Sequence, residues 1–150
     1  MIMRSSFFEN RNFNLNGRKA TQVELDLIEK HFNRVDWIDD YQKLIRNVNI
    51  IGATFELSKI SDLSGTGVDM EWMSAEVQID EAFNFYPGLI VVEKSFIPVG
   101  ICLQGSGNPY FLRIEDENWK IYRILHDFNS FNEKMVEYVT TLEVLMEIGN

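Results

Sequence analysis

SFIPVGICLQGSGNPYFLRI, residues 95–114, decides how the rest of the chain is read. It is a strand, a glycine turn and a second strand. Pro98 and Gly100 open the unit, Gly105 and Gly107 bend it, and Tyr110-Phe111-Leu112 close it; Pro98, Gly100, Gly105 and Gly107 are read as its structural turn residues. Glycine at a turn reaches positive φ, which a side chain resists. A Gly-Ser-Gly that runs into Asn108-Pro109-Tyr110 leads into a strand. It lacks the following helix and Lys by which a phosphate loop works, so these glycines are read as structural.

Working outward, residues 89–94, 97–104, 109–114 and 119–125 read as successive strands. Their short, turn-like connections imply an antiparallel meander. Upstream, Thr21-Gln22-Val23-Glu24 is a capping box, and the helix it opens runs to Phe32 with Leu25, Ile28 and Phe32 on one face. A second helix starts near Asp39, whose carboxylate and that of Asp40 suit a helix N-terminus, and carries Tyr41, Leu44, Ile45 and Val48 inward. Residues 53–57 read as a strand and 58–69 as a loop. Ser74 caps a third helix that Tyr86-Pro87-Gly88 stops. Ser130-Phe131-Asn132-Glu133 reads as another capping box, opening a closing helix with Met135, Val139, Leu142 and Leu145 inward. The expected class is α+β: one domain over residues 1–150, helices packed on an antiparallel sheet, and residues 1–19 an arm or edge strand.

At 150 residues and 45% hydrophobic content the chain can bury a substantial core. The single Cys102 cannot form an internal disulfide, and a cytoplasmic location is expected. No signal-peptide pattern and no spanning stretch is read in the sequence. The net charge of −9 repels nucleic acid and anionic membrane surfaces and suits a basic protein partner.

Catalytic chemistry is thin. His31 and His126 are far apart, and neither accompanies a nucleophile motif. The carboxylates lack calcium-loop spacing. No enzyme activity, cofactor or metal is expected. Asp36, Asp39, Asp40, Glu76 and Asp80 are candidates for an acidic docking surface, since complementary charge speeds encounter with a basic partner. The aromatics Trp37, Trp72, Tyr86, Phe96, Tyr110, Phe111, Trp119 and Tyr122 are read mainly as core. Trp119 and Tyr122 fall on opposite faces of one strand, so at least one of them is expected at the surface, and both are candidate binding anchors.

With these elements placed, residues 21–148 resemble the SMI1/KNR4 (SUKH) superfamily. The resemblance rests on Glu29 within Leu27-Ile28-Glu29-Lys30, on Trp37-Ile38-Asp39-Asp40-Tyr41 leading into the second helix, and on Val48-Asn49 with Gly52 after it. Ile97-Pro98-Val99-Gly100, the turn at 105–107 and Tyr110-Phe111-Leu112 continue it. Ile38 stands where the family carries Pro, Asn108-Pro109 where it carries Gly-Asp, and Leu125-His126-Asp127 only faintly echoes its aromatic-Asp-His-Glu ending. The resemblance implies a non-enzymatic binding domain. Bacterial members resemble immunity proteins that neutralise toxins, and fungal relatives are interaction proteins that regulate cell-wall synthesis. The function expected on this basis is a cytoplasmic immunity protein for a basic toxin domain, the alternative being an interaction module with no toxin partner.

Overall fold

A computed structural model describes residues 8, 13–57, 69–104, 108–125 and 128–149. The fold is α+β. Its elements run α1 (Gln22–Phe32), α2 (Ile38–Asn47), β1 (Thr54–Phe55), β2 (Met70–Trp72), α3 (Ala75–Phe83), α4 (Gly88–Val91), β3 (Ile97–Cys102), β4 (Tyr110–Glu115), β5 (Asn118–Ile124), β6 (Val136–Thr141) and α5 (Leu142–Gly149). The six strands form one antiparallel sheet in sequence order. Every strand pairs antiparallel with its chain neighbour, across a tight turn between β4 and β5 and across two helices, α3 and α4, between β2 and β3.

The capping box at Thr21 is present in full: the Thr21 hydroxyl accepts from the Glu24 amide, and the Glu24 carboxylate accepts from the Thr21 amide. Asp39 and Asp40 lie in the first turn of α2, and Ser74 caps α3. β4 and β5 pair without a break from Tyr110↔Arg123 to Glu115↔Asn118. The two residues between them, Asp116 and Glu117, both have positive φ, 48° and 70°. That backbone matches the twist of the hairpin but is unfavourable for both side chains. The pair of changes Asp116→Asn and Glu117→Gly is expected to stabilise the protein by about 1 kcal/mol. Urea denaturation checks this, through a raised midpoint at unchanged m-value.

Three expectations are corrected. Residues 89–94 are not a strand: α4 is followed by a 3-10 turn at Val92–Lys94, and Ser95 at φ 65° swings the chain into β3. A short apolar run has too few residues for its period to separate strand from helix. Here Val91 alone in the run is fully buried, while Leu89 points outward. The closing helix does not start at Ser130. Asn132 caps a 3-10 turn at Glu133–Met135, Val136–Thr141 is the edge strand β6, and α5 begins at Leu142. The spacing of Met135, Val139, Leu142 and Leu145 mimics a helical face, but Val136-Glu-Tyr-Val-Thr-Thr is rich in residues that suit a pleated surface. Pro98 and Gly100 lie inside β3 rather than in a turn, flanking a register shift against β4. A strand Pro is tolerated at such a bulge, where no ladder N–H is needed from it. Gly100 leaves room for Met70, whose methyl would lie 2.2 Å from an added Cβ. Gly105 and Gly107 lie outside the described residues. Strand β2, just beyond the loop expected over 58–69, has three residues, too few for alternation to reveal it.

Both faces of the sheet are covered. On one, α1, α2, α3 and α5 pack Leu25, Ile28, Phe32, Leu44, Leu142 and Leu145 against Leu112, Trp119 and Ile121. On the other, a smaller core joins Val91 and Phe96 to Phe111, Tyr122, Ile124 and Met135. Residue 8 also reaches the main core, its Phe ring edge-on to Trp119 at 5.7 Å.

Candidate partner-binding surface

Two buried polar nodes position the helical layer. Glu24, with a side chain only 5% exposed, accepts from both Arg18 terminal nitrogens, at 2.5 and 3.2 Å, and from the backbone N–H groups of Thr21 and Ala75, at 3.1 and 3.2 Å. One carboxylate thus ties the segment before α1 to the N-termini of α1 and α3. Burial works against its charge, but the Arg18 pair and the two amides outweigh burial and hold its pKa down at about 2.

At the second node Tyr41 Oη accepts from Trp72 Nε1 at 3.1 Å and from Gln78 Nε2 at 2.7 Å, which joins α2, β2 and α3 in the core. Burial pushes the Tyr41 phenol well above the ordinary tyrosine range, so it stays neutral. Tyr41→Phe leaves two buried donors facing a ring edge. It is expected to cost about 2 kcal/mol, with secondary structure retained, as chemical denaturation followed by circular dichroism reports.

These contacts fix the helix directions. Gln42 Nε2 donates to the Leu25 carbonyl and the Ala20 amide to the Ile45 carbonyl, so α2 runs antiparallel to α1. Ala75 sits at the start of α1 and Phe83 stacks on Phe32 at its end, so α3 runs parallel to α1. The sequence-read acids therefore spread over the layer instead of forming one cluster. Asp36, Asp39 and the half-buried Asp40 lie at the start of α2, beside the end of α1. Glu76 and Asp80 lie one turn apart on the exposed side of α3. Asp36, Asp39, Glu76 and Asp80 form no salt bridge among the described residues. Burial raises the Glu81 pKa, and the charge of Asp80 beside it adds to the shift.

The expected aromatic anchor is corrected. Trp119 is 3% and Tyr122 9% exposed, because each face of β5 is covered by a core of its own. Tyr122 Oη donates to Glu115 at 2.7 Å, and Glu115 also pairs with Arg113 and Lys120. Arg113 in turn lies over the Phe96 ring. That cluster satisfies its own charges.

The exposed aromatics lie elsewhere. Phe83, Phe85, Tyr86 and Leu89 are 37, 51, 56 and 40% exposed and surround the α3–α4 turn. Tyr86, read as core, is at the surface. Beside them a groove of about 680 Å³ runs between the end of α1 and the α4 segment. The sequence did carry a signal for this patch. Phe83, Phe85 and Tyr86 crowd directly before Pro87-Gly88, where a turning chain cannot bury three rings.

Among the described residues no group of three or more His, Cys, Asp or Glu side chains is placed to hold a metal ion, and no helix is long and apolar enough to cross a membrane. His126 and Asp127 lie outside the described residues. Comparison with family models, with curated proteins and with solved structures finds no match to this chain.

Proposed function

We propose that this protein is a non-enzymatic binding module that works in the cytoplasm as an immunity protein, holding a basic toxin domain on the acidic side of its helical layer. The observation that carries the reading is the set of exposed carboxylates Asp36, Asp39, Glu76 and Asp80. They form no salt bridge among the described residues, Glu76 feeling only the longer-range attraction of Arg18, in a chain of net charge −9. Exposed charges left uncompensated raise the field that steers an oppositely charged protein. The resemblance to the SMI1/KNR4 superfamily supports the same role, and the rigid nodes at Glu24 and Tyr41 hold α2 and α3 as a preformed surface.

The test is co-expression with the toxin domain encoded by a neighbouring reading frame for a large secreted protein. Growth rescue together with co-purification supports the immunity role. A toxic domain that this protein neither neutralises nor binds refutes it and leaves the interaction module without a toxin partner.

A further inference from the structure

The groove beside α4 has walls of opposite charge. The wall from the end of α1 presents His31 and Arg34, and the wall after α4 presents Glu93. Among the described residues Arg34 and Glu93 form no ion pair. Phe83 and Leu89 line the space between them, and Phe85 and Tyr86 extend the exposed apolar surface beyond it.

A wall with Arg34 and a wall with Glu93 are what a two-fold axis needs for a surface to complement itself. In an isologous pair, the patch that residue i offers to j is the patch that j offers to i. The basic wall of one copy then meets the acidic wall of the other, twice, around a shared apolar centre. Four large apolar side chains within seven residues are more than scattered surface hydrophobics. They fit the dry centre of a standard interface, with the charged walls as its polar rim. A basic partner, by contrast, would meet Arg34 as a like charge on one side of this groove.

We propose that the groove and its aromatic lip are the dimer interface of this protein, occupied by the same surface of a second copy with Arg34 of each chain facing Glu93 of the other. Glu76 and Asp80 lie farther back on α3, whereas Asp36 adjoins the Arg34–Val35 wall of the groove.

Sedimentation equilibrium of the whole chain at about 150 mM salt, over micromolar to hundreds of micromolar protein, tests this. At the upper end the mass is expected to reach twice 17.5 kDa. Arg34→Glu alone should weaken the dimer about tenfold or more, and the double swap Arg34→Glu with Glu93→Arg should restore it to within about threefold. Leu89→Glu and Phe85→Glu, each checked for an unchanged circular dichroism spectrum, should leave monomer only. A wild-type protein that stays monomeric throughout overturns the proposal. So does a dimer that survives both apolar changes, or one that the single swap breaks and the double swap fails to restore.

Discussion

Glu24→Gln is expected to remove about 3 kcal/mol of stability at neutral pH and to flatten the acid limb of the stability curve. The wild-type carboxyl titrates at about 2 in the folded protein against 4.5 for an ordinary glutamate. Each pKa unit is worth about 1.4 kcal/mol of linkage. Because the folded pKa is the depressed one, the stabilisation is complete above about pH 4.5 and is lost as the pH falls toward 2. Glutamine keeps one acceptor for the Thr21 or Ala75 amide, but it cannot neutralise Arg18 and does not titrate. Urea titrations of both proteins at pH 7, 4.5 and 3 check the point: the wild type should lose more stability than the variant between the two lower values. Parallel curves would mean that Glu24 is not the acid-sensitive link between the N-terminal segment, α1 and α3.

Gly88→Ala should cost as much for a different reason. A Cβ at Gly88 would lie 1.8 Å from the carbonyl oxygen of Glu81 and 2.8 Å from the Cα of Ala82. Both are helix backbone, so α4 must move off α3 and the small core around Val91 and Phe96 must open. Overpacking against atoms that cannot give way costs about 3 kcal/mol. Gly52→Ala is the control: Gly52 has φ +80° but open space around it, so only the conformational cost of about 1 kcal/mol remains. Thermal unfolding of the two variants should therefore separate them clearly, with Gly88→Ala the lower. Equal melting temperatures would contradict the close α3–α4 contact.

Legibility in the sequence followed the physics of each signal. The first two helices were readable because Thr21 and Glu24 form a local cap and because apolar residues recur over several turns. The hairpin β4–β5 was readable because two β-rich runs are separated by a polar pair. The segment 89–94 and strand β6 were not, since the four apolar residues of the first carry no decisive period and the spacing of Met135, Val139, Leu142 and Leu145 around the second imitates a helix face. The surface was harder still. Charge shows in a sequence, so the acids on α2 and α3 were found. Exposure of an aromatic depends on what covers it, so the sequence points to a surface anchor at Trp119 or Tyr122, both buried, and to a core role for the exposed Tyr86, while Phe83 and Phe85 are signalled only by their crowding before Pro87-Gly88.

The measurement closest to the central claim is the binding kinetics of this protein with the purified toxin domain, with salt raised from about 20 to about 150 mM. Over that range the screening length shrinks to about 8 Å. If the acidic helical layer steers the encounter, the association rate falls by about tenfold or more while dissociation changes little. The double change Glu76→Lys and Asp80→Lys reproduces that slowing at low salt without altering the fold. An association rate indifferent to both salt and charge reversal, or no complex at all, contradicts the account.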